Sequence, residues 1–303
     1  MAAKKNKSKE NTPLFRRFQH WFVRDFLGIF REMRWSYLPP LMVYLAAGVS
    51  GFTGIIESFF VKEQLGLSAA FLAGLAFWAG LPWALKMPLG HLVDLFWRRK
   101  AGFVYFGAVL MALSLLIMIG LTGHTQWMAS FLPVDIWYIV SVLLSPVGFV
   151  LQDVVADAMT VEAVPAVDEA GSPIADEKLQ RMHVTMQTLG RMAIIGGSAL
   201  VAGLGGWLAN ILSYEIMYKW SLAIPLISVL GVTLGSWTTR RRRHHLRQEG
   251  FTTEEIDKML QAHDTLTRPN WYILGGSGIF VAMSLVLGLS DLQVKKEIIF
   301  AGS

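Results

Sequence analysis

The chain has 303 residues, 53% of them hydrophobic and only 16% charged, with a formal charge of +5 and no cysteine. So apolar a balance excludes an ordinary soluble domain, and the missing thiols exclude disulfides and thiolate metal sites. The basic excess raises the question of a polyanion partner, which its distribution along the chain answers in the negative.

Residues 1–36 are expected to form a cytoplasmic tail. Its first 12 residues are Lys-rich and lack apolar anchors, which predicts disorder. Residues 13–34 place Phe15, Phe18, Phe22, Phe26, Ile29, Phe30 and Met33 at a 3–4 spacing with arginines between them. That pattern predicts a helix lying in the lipid interface, rings toward the acyl chains and guanidinium groups toward anionic headgroups. A soluble helix packed on a bundle is the plainer alternative.

Seven apolar blocks follow, at 38–60, 69–93, 101–122, 135–160, 184–212, 218–238 and 271–290. Each is near the ~20 residues a helix needs to cross hydrocarbon. Strand-like alternation is absent, so the predicted class is all-α, a polytopic helical membrane protein inserted in the lipid bilayer. If successive connections alternate between sides, 21 of the 27 Lys and Arg fall on the side of the N-terminus. This is the positive-inside pattern of a multi-pass protein of the cell (inner) membrane with a cytoplasmic N-terminus, and it removes nucleic acid as a partner. No cleavable signal precedes the first span.

The connection 239–270 opens with Arg240 to Arg243 and continues with a capping box at Thr252 and Glu255. A six-helix bundle at 37–238, a basic central loop at 239–270 and a new span at 271–303 is the layout of one half of a two-bundle transporter. Ile298 to Ala301 reads as an eighth span cut short, which implies a missing C-terminal bundle; a natural six-plus-one bundle is the alternative. Close helix packing is expected along Ser198, Ala202 and Gly206, and at Ala47 with Gly51 and Gly54 with Ser58. Pro82, Pro88, Pro146 and Pro225 are expected to kink their spans.

Four charges lie inside the spans at one level. A rise of ~1.5 Å per residue puts Lys86 about 10 Å, Asp157 about 8 Å, Asp153 about 13 Å and Arg191 about 12 Å below the basic surface. Asp153 and Asp157 stand four residues apart and share a helix face. Ionisable groups at such depth face a partner or a polar pathway. One reading is structural, with Lys86 paired to one aspartate and Arg191 to the other. The other makes them binding and coupling groups, because Trp83 shares a face with Lys86, and Gln187 and Thr188 one with Arg191. Glu57 lies on a stripe with Ser50 and Thr53 and reads equally as a proton site or an interfacial acid. Glu162 is expected at the boundary, and His91 at a helix end. No nucleophile triad, phosphate loop or metal-ligand spacing appears, so neither an enzyme nor a cofactor is expected.

The turn after the second span, Gly90-His-Leu-Val-Asp94-Leu-Phe-Trp-Arg98-Arg99-Lys100, resembles motif A of the major facilitator superfamily. Leu95 and Trp97 depart from it where Arg and Gly are usual. The resemblance implies a major-facilitator-type bundle and a cytoplasmic gate built on Gly90, Asp94, Arg98 and Arg99. Within that superfamily, residues 54–68, 81–90 and 152–162 resemble the folate–biopterin transporter family; muropeptide permeases share variants of the Pro-x-x-x-Lys and Asp-x-x-x-Asp elements. The resemblance implies a secondary active transporter for a folate- or pterin-like organic anion, coupled to protons. Lys86 or Arg191 would hold substrate carboxylates, Asp153 a pterin N–H edge, and Trp83 the ring, with Gln187 nearby. Protons would use Asp157, Asp153 or Glu57. A muropeptide permease and a membrane assembly or pigment-delivery factor on the same fold are the rival readings.

Overall fold

The computed structural model describes residues 27–61, 67–165, 167, 172–260 and 269–289. Contacts divide the chain into a unit Met1–Trp35 and a unit Ser36–Ser303. In the first, the described part holds one short helix, α1 (Leu27–Arg31). Most of the predicted interfacial helix, like Ile298 to Ala301, lies outside the described residues.

Every regular element among the described residues of the second unit is a helix, apart from one isolated bridge between Val167 and Pro173. Among the described residues six stretches are long and apolar enough to cross a membrane: Trp35–Glu57, Ala70–Leu95, Lys100–Gly123, Val134–Ala163, Asp176–Ala209 and Tyr214–Gln248. The chain is a multi-pass helical membrane protein. The seventh predicted block is helical over Trp271–Leu289.

Three of the six are broken within the bilayer-length stretch. The first comprises α2 (Leu38–Val49) and α3 (Gly51–Phe60). The second comprises α4 (Ala69–Ala84) and α5 (Lys86–Leu95). After α6 (Lys100–Gly123), the short α7 (Thr125–Ala129), α8 (Val134–Ala163) and α9 (Asp176–Ala209), the sixth comprises α10 (Tyr214–Ser221) and α11 (Ala223–Gln248). The short α12 (Thr253–Met259) and then α13 (Trp271–Leu289) follow. Helices α9 and α11 outrun the predicted blocks by eight and ten residues on the polar side, because hydropathy marks where a helix leaves lipid rather than where it ends. The Thr252–Glu255 capping box is present, with the Glu255 carboxylate accepting from the Thr252 backbone N–H at 2.8 Å.

The prolines divide in a way their sequence positions alone do not show. Pro88 and Pro225 each occupy the third residue of a helix, where a backbone N–H has no intrahelical partner to lose. Each nonetheless stands three residues after a break in its span, at Leu85 and at Leu222, which is where the expected interruption falls. Pro146 lies inside α8, and Pro82 lies inside α4 just before that helix stops at Leu85. Leu85 leaves helical geometry (φ −89°, ψ 7°), and α5 restarts with Lys86 as its first residue.

Two apolar clusters fill the bundle. Near the Arg99–Lys100 turn, the basic end, Val43, Val104, Val150, Val154, Val155 and Val232 pack together. Toward the opposite end, Phe52, Ile56, Phe60, Leu121, Met217 and Tyr218 do so. The close helix approaches run through glycines. A Cβ on Gly48 would stand 2.3 Å from the Ile194 carbonyl oxygen, and one on Gly107 2.6 Å from that of Gly148. The predicted seams are corrected by about one residue. Ser198 does donate to the Gly48 carbonyl at 3.2 Å, but Gly51, Gly54 and Gly206 have open space where a Cβ would stand. Gly48, Gly190, Gly197 and Gly205 carry the α2/α3–α9 contact instead. Each set keeps to one helix face, Ser198, Ala202 and Gly206 at steps of four and Gly190, Gly197 and Gly205 at steps of seven and eight, and only the helix rotation chooses between them.

Candidate functional site

The break at Leu85 aims Lys86 across the bundle at α8. Its ammonium lies 2.5 Å from Asp153 Oδ2 and 2.9 Å from Asp157 Oδ2. One cation therefore bridges both acids of the i, i+4 pair, as the shared face allows. The Asp153 side chain is 13% exposed, against 50% for Asp157 and 40% for Lys86. Asp153 is thus the anchored partner and Asp157 the accessible one.

The structural reading of one aspartate per cation is corrected here. Arg191 is exposed and makes no ion pair among the described residues; its charge acts on Asp153 and Tyr44 through space. With Arg191 counted, two cations face two carboxylates. Gln187 lies exposed one turn before Arg191 on α9.

Sequence reasoning missed Tyr44. This buried tyrosine of α2 donates its hydroxyl to Asp157 Oδ1 at 2.6 Å. Its ring fits because residue 190 is glycine: a Cβ there would stand 2.8 Å from Tyr44 Cε2. A lone tyrosine four residues before a glycine in an apolar span was the available signal, but it names no partner. Replacing Tyr44 by Phe keeps the ring and removes a charge-assisted bond. Such bonds are worth about 1.5–3 kcal/mol when buried, and the half-exposed acceptor lowers the expectation to about 1 kcal/mol. Thermal unfolding of the detergent-solubilised chain is the measurement, and an unchanged midpoint would remove Tyr44 from the network.

A cavity of about 550 Å³ opens beside the triad, lined by Trp83, Lys86, Gly90, Asp94, Val154 and Asp157 among others. This volume suits a small organic ligand. Trp83 is half exposed and presents its ring to the cavity. Gln152 is not part of the site: it is buried, and its amide reaches the Val104 carbonyl at 3.4 Å.

Of the gate residues, Gly90 and Asp94 line the same cavity, and Asp94 makes no ion pair among the described residues. Arg99 is exposed, and the side chain of Arg98 lies outside the described residues. The turn is instead fastened by Lys100, which pairs with Glu162 at the end of α8 and lies 3.9 Å over the Trp97 ring. His91 Nε2 accepts the Asn270 backbone N–H at 2.8 Å, joining α5 to the start of α13. Glu57 is far from all of these, at the other end of the bundle, where it accepts the Tyr138 hydroxyl at 2.6 Å. The structure thus gathers Trp83, Lys86, Asp153 and Asp157 in one place and leaves Glu57 in another.

The model of the BT1 family matches residues 47–280 of this chain. The chain is also 25% identical over 224 residues to a folate-biopterin transporter from Synechocystis sp., an alignment covering 72% of this chain and 40% of that protein. The chain therefore spans less than half the length of this curated relative. No solved structure matches it.

Proposed function

Because the chain belongs to the BT1 family, we propose that it forms the first bundle of a secondary active transporter moving a folate- or pterin-like organic anion with protons. The observation that carries this reading is the Lys86 ammonium held between Asp153 and Asp157 at the wall of an open cavity. A carboxylate-bearing solute competes with the aspartates for that ammonium. A flat heterocycle with adjacent N–H groups finds Asp157 half exposed and the Trp83 ring beside it. Exchange of one carboxylate for another at a shared cation leaves no charge unpaired during passage, so binding avoids the penalty of isolating an ion in a low-dielectric site.

In this reading Arg191 supplies a second contact for a dianionic tail, with Gln187 alongside. The gate is the turn from Gly90 to Arg99, the N-terminus is cytoplasmic, and a second bundle closes the path from the side of α13. The major facilitator superfamily is the proposed wider setting.

The test is uptake of labelled folate, pterin and muropeptide by vesicles carrying the full-length gene, with and without an imposed pH gradient. Folate or pterin accumulation that rises with an inward proton gradient is expected. Accumulation of muropeptide alone would transfer the site to the permease reading. Accumulation of none, with the protein present in the membrane, would leave the scaffold reading.

A further inference from the structure

The end of the bundle opposite Lys86 holds a second polar cluster that the binding site does not use. Glu57 of α3 accepts the Tyr138 hydroxyl of α8 at 2.6 Å. Tyr218 of α10 is 2% exposed, and its hydroxyl oxygen has no hydrogen-bond partner among the described residues. It belongs to the same buried cluster as Tyr138 and as Ile56, the neighbour of Glu57 in sequence. Around the three pack Ile56, Phe60, Leu121 and Met217, all buried.

Among the described residues the ionisable groups at this end of the bundle are few, and His124 follows α6 there. On α10 stand Tyr214 and the pair Glu215–Lys219, bound to each other at 2.6 Å. On α8, Asp135 is exposed in the first turn. Residues 192–209 of α9 and 106–123 of α6 carry no charged group. No described cation therefore pairs with Glu57. Lys86, by contrast, already compensates Asp153 and Asp157.

An unpaired carboxylate among apolar side chains costs several kcal/mol, whereas a neutral carboxylic acid with hydroxyl partners costs far less. Neutral Glu57 would hold one acceptor oxygen for Tyr138 and gain an O–H donor, for which the Tyr218 oxygen, unpartnered in the same apolar cluster and not hydrogen-bonded to Glu57, is the candidate acceptor. Two carboxylate and two phenol oxygens fall short of the six to eight ligands that calcium takes and the octahedral shell of magnesium. The occupant that fits is a proton.

We propose that Glu57, Tyr138 and Tyr218 form a proton-carrying site, with Glu57 taking up and releasing the proton. Release breaks the carboxyl O–H bond to a water molecule, giving hydronium and a solvated carboxylate; uptake reverses the step. No other bond changes. The same two helical elements serve both sites: the first span holds Tyr44 and Glu57, and α8 holds Asp157 and Tyr138. The 13 residues from Tyr44 to Glu57 put the two clusters about 20 Å apart. Separating α3 from α8 would admit water to Glu57 and let the proton leave. As the coupling site of a transporter this rests on the function proposed above; as a protonated carboxyl it does not.

The experiment is infrared spectroscopy of the purified full chain in lipid nanodiscs, scanned over pH. At neutral pH a protonated-carboxyl stretch is expected that disappears in Glu57→Gln and shifts in Tyr138→Phe and Tyr218→Phe. Should Glu57→Gln fail to fold, the shifts in the two Phe variants decide. A wild-type spectrum without a protonated-carboxyl band that these substitutions remove or shift would overturn the proposal, whatever the substrate is. In vesicles that transport, Glu57→Gln is expected to make uptake indifferent to the pH gradient. Uptake still driven by the gradient would overturn the coupling role, whereas wild-type vesicles that transport nothing would count against the proposed function alone.

Discussion

Replacing Lys86 by alanine is expected to lower uptake at least tenfold while the protein still reaches the membrane. Its ammonium is the one described group that pairs with both Asp153 and Asp157. Without it, two carboxylates one helical turn apart repel each other, with only the Tyr44 hydroxyl and the more distant Arg191 to compensate. Breaking a fully buried pair costs about 3–5 kcal/mol. Here the lysine and Asp157 are each near half exposed, so solvent reduces the expected loss of stability to about 1–2 kcal/mol. That is too little to unfold a six-span bundle and enough to empty a site built around one cation. Joint replacement of Lys86 by Met, Asp153 by Leu and Asp157 by Leu separates the two roles. It removes the three charges of the triad together and leaves Arg191, which is exposed, so stability should return, because apolar substitutes for an ion cluster are often neutral or better. Uptake should not return. Measured side by side by vesicle uptake and detergent unfolding, full transport by the triple variant would reduce the triad to a helix lock.

Several of these features were legible in the chain before any coordinates. Span lengths follow from the thickness of hydrocarbon, and a four-residue separation puts Asp153 and Asp157 on one face whatever packs against it. The common depth of Lys86 and the aspartates follows from helical rise alone. What could not be read was helix rotation and pairing. Whether Lys86 reaches one acid or both depends on the Leu85 break, where Pro82 and Pro88 together interrupt and restart the helix. Both prolines were visible, but not which one ends α4. Arg191 matched the others in depth and still makes no ion pair among the described residues, because depth fixes one coordinate and the azimuth of α9 fixes the other. Tyr44 escaped notice for a related reason. A tyrosine in an apolar span is ordinary, and only the glycine opposite, at 190 on a helix far away in sequence, lets its hydroxyl reach Asp157. Glu57 reads from the sequence as an acid near the outer end of the first span, and its contact with Tyr138 joins it to the apolar cluster there.

The crossing of α2 and α9 is where a single added methyl group should do the most structural harm. Gly48→Ala would bring its Cβ to 2.3 Å from the Ile194 carbonyl oxygen and 3.0 Å from the Ile194 Cα. Neither is a flexible side-chain end, so the helices themselves must separate. Gly197 on the facing helix is nearly as tight, with a Cβ position 3.1 Å from the Val49 backbone nitrogen. The Ser198 hydroxyl bond to the Gly48 carbonyl, 3.2 Å long, would be strained by the same movement. Overpacking of this kind costs about 1–3 kcal/mol. Gly51→Ala, three residues on, is the matched control, because nothing lies within 4 Å of its Cβ position. There alanine should be neutral or stabilising by about 0.5–1 kcal/mol, since it has the higher helix propensity. The unfolding midpoints of the two variants in the same detergent should therefore move apart, Gly48→Ala downward and Gly51→Ala level or upward. Tyr44 lies one turn before Gly48 and Gly190 one turn before Ile194, so the wedge also loosens the seat of Tyr44 and its bond to Asp157. Uptake by Gly48→Ala should accordingly fall further than its stability predicts. Equal midpoints for the two variants would mean that the α2–α9 contact is not the close backbone approach described here, and the placement of Tyr44 against Asp157 would fall with it.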